Sequence, residues 1–227
     1  MERILFFGTV GQRQALSLIK TRRKFDSFRF HKKMTIHKYT TQELVSQKPP
    51  EKKFRSQPRN PIVFILHNLR SLENVGLFFR LADALLIEKI YLTGYTGYPR
   101  LPKDSRDDRI ILHAEKAIAK TAIKTVPFVP WEYSPNVLST LSNLSHLGYL
   151  LVAVEQTTTS LDYRLANYKF PLALIFGHER TGVESKLLAR CDQIIHLPML
   201  GMGNSHNVAV SAAIISSFVL DKLSLKV

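Results

Sequence analysis

Three short segments of this 227-residue chain combine residue types that could do chemistry. In residues 73–80, ENVGLFFR, the spacing puts Asn74 and Gly76 in the first turn of a helix, where backbone N–H groups lack intrahelical acceptors. Arg80 follows on an otherwise apolar helix, and its planar guanidinium suits phosphate. In residues 172–188, LALIFGHERTGVESKLL, a buried strand runs directly into Gly177, His178 and Glu179, then Gly182. Glycine at a strand end admits a ligand or a positive φ. A carboxylate just beyond an apolar strand stands where open α/β sheets build their sites. In residues 196–220, HLPMLGMGNSHNVAVSAAIISSFVL, a loop carrying Gly201 and Gly203 leads to Ser205, His206 and Asn207. These three residues open a helix, a position that favours anions and orients donors. Taken singly, each segment also fits a plainer account: a solvated arginine, a turn with a capping carboxylate, a helix cap.

The elements between them set the fold class. Residues 62–66, IVFIL, read as a strand buried on both faces. Ser71 can cap a helix from 72 to about 86, with Leu72, Val75, Phe79, Ala82 and Leu86 facing the core. Further strands are expected at 90–92, 126–129, 149–154, 172–176 and 193–196. Helices are expected at 114–125, 134–147 (opening Ser134-Pro135), 185–189 and 207–220. Alternating strands and helices imply an α/β fold with a mainly parallel sheet flanked by helices. The last helix is small and apolar on nearly every face, so it must be buried all round or form a subunit interface. No internal repeat or low-complexity tract appears.

Charge is the strongest global signal. Lys+Arg total 32 against 18 Asp+Glu, a net charge of +14. Residues 1–60 hold 15 Lys/Arg and 4 Asp/Glu, so most of the excess lies in that arm. Concentrated positive charge suits a polyanion, and nucleic acid is the commonest one. Residues 46–61, SQKPPEKKFRSQPRNP, read as an extended, mobile linker because proline removes donors and disfavours helix before it. The expected organisation is therefore a basic N-terminal arm and linker at 1–59 and a folded domain at 60–227.

Other classes recede. No apolar run reaches the length of a membrane-spanning helix. One cysteine, Cys191, rules out an intramolecular disulfide framework and cysteine-rich metal sites; it reads as a buried, inert thiol. No second histidine lies at ligand spacing from His178, so no metal is expected. The apolar run at 4–7 is too short for a secretory signal. The basic first 33 residues leave a mitochondrial transit peptide open, Met34 is a second candidate start, and the expected location is cytoplasmic.

Together, and in this order, the three segments resemble the SpoU (TrmH-like) family of the SPOUT superfamily. Asn74, Gly76 and Arg80 match its first motif. Phe176, Gly177, Glu179 and Gly182 match the second. Leu197, Pro198, Met199, Ser205, Asn207 and Val208 match the third. The resemblance covers residues 60–227. It implies an RNA methyltransferase that moves a methyl group from S-adenosylmethionine to a ribose 2′-hydroxyl of tRNA or rRNA. It also implies a C-terminal trefoil knot, which no periodicity indicates and which is rare, and a homodimer with residues of both subunits at each site. Arg80, Asn74, Glu179 and Asn207 become the candidate catalytic residues. Val154, Gly177, Leu197 and Ser205 become the candidate cofactor-binding residues. No GxGxxG loop supports a Rossmann-type cofactor site. An inactive knotted RNA-binding protein and an unrelated nucleotide-binding α/β protein are the competing readings.

Residues 152–163, VAVEQTTTSLDY, resemble a subset of tRNA ribose methyltransferases within the family. Two departures stand out. His206 replaces the usual leucine or methionine, and the chain ends DKLSLKV where tRNA-modifying relatives often carry further arginines.

Overall fold

The computed structural model describes residues 36–224, with the backbone alone at Ser224. The readings of residues 1–33 and of Met34 lie outside these residues. The chain divides into two compact units, Met1–Pro50 and Glu51–Val227. In the first, helix α1 (Thr41–Ser46) is opened by a capping box: the Thr40 side chain accepts from the Glu43 N–H while Glu43 reaches back to the Thr40 N–H.

The second unit begins nine residues before the expected boundary. Within the stretch read as an extended linker, Glu51–Arg55 forms helix α2. Phe54 packs edge-on against Phe128 at 5.9 Å, and Arg55 donates to the Pro127 carbonyl. The prolines before and after this turn do not prevent it, because its own five residues are free of proline and gain an aromatic contact.

The remaining elements are β1 (Asn60–His67), α3 (Leu72–Ala84), β2 (Ile87–Thr93), α4 (Asp108–Ala122), β3 (Trp131–Ser134), α5 (Val137–His146), β4 (Leu150–Val154), β5 (Leu161–Asp162), β6 (Leu172–Phe176), α6 (Ser185–Leu188), β7 (Gln193–His196) and α7 (Val208–Ser224). All seven strands form one sheet in the order β3-β2-β1-β6-β4-β7-β5, and every pairing is parallel. The expected mainly parallel sheet is wholly parallel.

Side-chain alternation along β1 builds two cores. Ile62, Phe64 and Leu66 face α3 and α7, where Phe64, Phe78 and Phe176 meet with ring centroids 5.0–5.8 Å apart. Val63 and Ile65 face α5 and α6, meeting Val137, Leu141 and Leu187. Cys191 joins the rim of the second core; its thiol donates to the Leu187 carbonyl, and burial pushes it up to about 12. A raised thiol pKa keeps it from the reactive thiolate form.

Several elements differ from the sequence reading. The strand expected at 126–129 is a 3-10 turn, Val126–Phe128, with Pro127 at its start. The strand that pairs there is Trp131–Ser134. It takes up Ser134, so α5 is capped instead by Asn136, whose side chain accepts from the Ser139 N–H. Helix α4 begins six residues early because Asp107 caps it. The two-residue β5 has no signal of its own and forms only by pairing with β7. Ser71 caps α3 as expected, accepting from the Asn74 N–H.

Gly76 has a packing role. A Cβ there would lie 2.1 Å from Thr121 Oγ1 and 2.3 Å from the Ile118 carbonyl oxygen, so α3 and α4 cross in contact at this glycine. Alanine would gain up to about 1 kcal/mol of helix propensity, but a backbone oxygen cannot rotate away, and overpacking costs about 1–3 kcal/mol. Gly76→Ala is therefore expected to destabilise the protein, read as a lower urea midpoint at unchanged slope.

Candidate active site

The three chemistry-bearing segments meet at the carboxyl end of the sheet. β6 ends at Phe176, and the chain closes a tight loop in which His178 and Gly182 exchange backbone hydrogen bonds of 3.2 and 2.8 Å. Gly177 is forced: a Cβ there would meet the Gly182 carbonyl oxygen at 2.3 Å. Gly182 has φ +67°, and a Cβ would strike the Glu155 carboxylate at 2.0 Å. That carboxylate accepts from the Val183 and Gln156 N–H groups at 2.7 and 2.9 Å, tying the end of β4 to the loop after β6.

Glu179 is the hub. Its Oε1 accepts from the Ser71 N–H and from Asn74 Nδ2, and its Oε2 from the Arg70 N–H, each at 2.9 Å. Asn74 Oδ1 in turn accepts from Asn207 Nδ2 at 3.1 Å. Asn207 Oδ1 caps α7, accepting from the Ala209 and Val210 N–H groups at 2.9 and 3.2 Å. One hydrogen-bonded chain thus runs from the start of α3 through the β6 loop to the start of α7. Partial burial acts to raise the Glu179 pKa, but the N–H donors of Arg70, Ser71 and Asn74 prevail and hold it below the ordinary carboxylate value. Its oxygens accept from three donors, an arrangement that suits an anion.

Beside this chain lies a cavity of about 480 Å³. Val154, Phe176, Leu197 and Val208 give it apolar wall, while Glu155, His178 and Ser205 give it polar edge. All four candidate cofactor-binding residues, Val154, Gly177, Leu197 and Ser205, line it, as do Glu179 and Asn207. Asn74 is buried behind them and reaches the site through Glu179 and Asn207. Arg80 does not line the cavity; it is exposed on α3, three residues beyond the exposed Leu77.

Residues not singled out beforehand also line the cavity, Glu155 and Asn204 among them. Glu155 carried the same signal as Glu179, an acid directly after an apolar strand. His206 Nε2 lies 3.2 Å from the Pro198 carbonyl oxygen, a bond between the two ends of the glycine-rich loop that leucine or methionine could not make. Among the described residues no cluster of three or more His, Cys, Asp or Glu could hold a metal ion.

Residues 61–217 match the SpoU rRNA Methylase family. The chain belongs to this family. The match excludes an unrelated nucleotide-binding protein. Among relatives, this SpoU-family chain is 27% identical over 168 residues to a putative TrmH family tRNA/rRNA methyltransferase of Staphylococcus saprophyticus, covering 74% of this chain and 61% of the relative. It is 27% identical over 161 residues to a tRNA (guanosine(18)-2′-O)-methyltransferase of Thermus thermophilus, covering 71% of this chain and 74% of that one. The chain thus spans about three fifths of the length of the staphylococcal relative. In fold it is similar to the A. aeolicus TrmH/SpoU tRNA modifying enzyme, with TM-score 0.60, 23% identity, and coverage of 78% of this chain and 83% of that one. It is also similar to the AdoMet-bound rRNA methyltransferase from Sinorhizobium meliloti, with TM-score 0.57, 22% identity, and coverage of 75% and 60%.

Replacing Glu179 with glutamine turns an amide N–H₂ toward at least one backbone donor. Leaving a fully buried donor unmet costs about 1–3 kcal/mol; these donors are exposed or partly buried, so Glu179→Gln should cost less than that and unfold at modestly lower urea at pH 7. Because the folded pKa is depressed, the carboxylate's contribution is full above the unfolded glutamate value of 4.5 and lost as pH falls through the folded value. The gap between wild type and Glu179→Gln should accordingly narrow below about pH 4.5. An unchanged gap at pH 3 would remove the anionic anchor from the account.

Proposed function

We propose that this protein is an S-adenosylmethionine-dependent RNA methyltransferase acting on a ribose 2′-hydroxyl of tRNA or rRNA. The observation that carries the proposal is the hydrogen-bonded chain through Glu179, Asn74 and Asn207 at the edge of a cavity of about 480 Å³. A cavity of this size lies within the roughly 300–1,000 Å³ range of small-molecule sites. Its apolar wall at Val154, Phe176 and Leu197 suits an adenine, and the bare backbone at Gly177 suits its polar edge. Val154, Gly177, Leu197 and Ser205 would hold the cofactor. When bound, it supplies an electrophilic methyl group.

The protein's own groups then have three tasks. Asn74, Glu179 and Asn207 hold the starts of α3 and α7 against the β6 loop, and Ser205 lies on the cavity wall, so that ribose and cofactor meet in line. Arg80 grips RNA phosphate and stabilises the alkoxide charge that develops as the 2′-hydroxyl gives its proton to solvent water. A guanidinium with a pKa above about 12 is poorly suited to be the base.

The exposure of Arg80 supports a homodimer. On α7, Val210, Ile214, Ser217 and Asp221 form one exposed face, with Val210 49% and Ile214 40% accessible. α7 packs against α3, whose exposed face carries Leu77 and Arg80. Covering these apolar side chains with a second copy would bring Arg80 to the partner's cavity. The trefoil knot belongs to the same reading, supported by β7 lying between β4 and the short β5. So do the cytoplasmic location and the role of the basic arm in phosphate attraction.

Labelled S-adenosylmethionine, offered with total tRNA and with rRNA, tests the proposal. Label should enter one RNA class with wild type and not with Arg80→Ala. Arg80→Lys should keep no more than a few per cent of the activity, because lysine cannot form the fork. Ile214→Asp should sediment as a monomer and lose transfer while still binding cofactor. Cofactor binding without transfer to either RNA would favour the inactive RNA-binding protein.

A further inference from the structure

We propose that Tyr95 and His178 form a stacking platform for an unpaired RNA base beside the reacting nucleotide, with Arg70 and Arg180 as its phosphate contacts. This rests on the RNA reading above and names the substrate-side surface of the same site. Tyr95 follows β2, and its side chain is 63% exposed. Its backbone is nevertheless pinned. Its N–H donates to Asn68 Oδ1 at 3.1 Å, and Asn68 Nδ2 donates to Glu184 Oε1 at 3.1 Å. Gly94, at φ +64°, leaves room for this bond: a Cβ there would lie 2.0 Å from Asn68 Oδ1. Tyr95 thus presents a large aromatic ring to solvent from a fixed backbone, a geometry that suits stacking on a flat ligand.

The Tyr95 ring meets His178 at 73°, centroids 6.3 Å apart, and His178 lines the cavity. His178 is fixed as well. Its Nδ1 accepts from the Arg180 and Thr181 N–H groups at 3.0 and 3.1 Å, so the ring proton of the neutral imidazole is on Nε2, available to a ligand. The two rings therefore form an angled aromatic wall at the cavity mouth.

Charge identifies the occupant. Arg106, Arg109 and Arg164 are each paired with an aspartate two residues earlier. Arg70 and Arg180 are exposed and have no side-chain hydrogen bond or ion pair among the described residues. Arg70 is held by its backbone to Glu179, next in sequence to Arg180, and Arg180 lines the cavity. Unpaired arginines around an exposed aromatic wall are the composition of single-stranded nucleic-acid surfaces, where stacking is indifferent to base identity and phosphate contacts supply charge. Unpaired RNA bases that are splayed out stack on aromatic side chains and on arginine planes, the two groups present here.

The test uses the full chain and a fluorescein-labelled, mixed-sequence single-stranded oligoribonucleotide, with S-adenosylmethionine binding measured separately by calorimetry. Tyr95→Ala and Tyr95→Leu should weaken RNA binding about ten-fold, Tyr95→Trp should bind as wild type does, and cofactor affinity should be the same in all. Arg70→Ala and Arg180→Ala should each reduce the log–log salt slope by about 0.7. Retention of wild-type RNA affinity by Tyr95→Ala would overturn the platform. So would rescue by leucine as good as by tryptophan, which would mark an apolar protein contact instead, or failure of wild type to bind the oligoribonucleotide. Thermal melting checks that each variant is folded, and tryptophan keeps the test decisive if alanine is not. Tyr95-dependent RNA binding without methyl transfer would sink the enzyme reading and leave the platform. Methyl transfer with Tyr95-independent RNA binding would do the reverse.

Discussion

A carboxylate with three N–H donors organises this protein's site. Glu179 draws the Arg70 and Ser71 amides and the Asn74 side chain onto one group, and Asn74 passes the constraint to Asn207. Each of these hydrogen bonds joins residues more than a hundred positions apart along the chain, so nothing local makes them meet. A charged acceptor at the start of α3 suits both the unsatisfied N–H groups and the helix dipole. The interaction is available only because β6 delivers Glu179 beside β1, where α3 begins.

Around that hub the glycines fit the backbone closely. Gly177 and Gly182 let the β6 loop fold on itself and let Glu155 reach across from β4. The cavity is thus walled by residues at and just beyond three strand ends, Val154, Phe176 and Leu197 among them, and by the start of α7. The same logic holds at the other end of the chain of contacts, where Asn207 caps α7 and His206 closes the glycine-rich loop. Shape and polarity come from loops that a parallel sheet must present at its carboxyl edge.

The candidate site was legible in the sequence to an unusual extent. Strong local signals survived: the apolar runs of β1 and β6, the Ser71 cap, and acids and glycines placed directly after strands. Glu155 carries the same signal, an acid directly after an apolar strand, without the surrounding motif that marks Glu179. Elements with weak local signals were misplaced. Strand β3 exists only because β2 offers an edge to pair with, and the turn at Val126–Phe128 took the strand assignment from it. The helix Glu51–Arg55 is short and lies among prolines, and its contact with Phe128 is long-range. Propensity cannot report a contact made some seventy residues away.

The sequence by itself determined the family, the α/β class, the basic arm and the residue types of the three motifs, because periodicity, caps and charge are properties of neighbouring residues. Only the tertiary structure decided which of those residues meet. It joined Glu179, Asn74 and Asn207 in one hydrogen-bonded chain, left Arg80 exposed on the face of α3 with Leu77, and set Tyr95 against His178 at the cavity mouth. Strand order made those choices. A parallel sheet brings loops from distant parts of the chain to one edge, and that order is fixed by long-range packing that no local window of sequence contains.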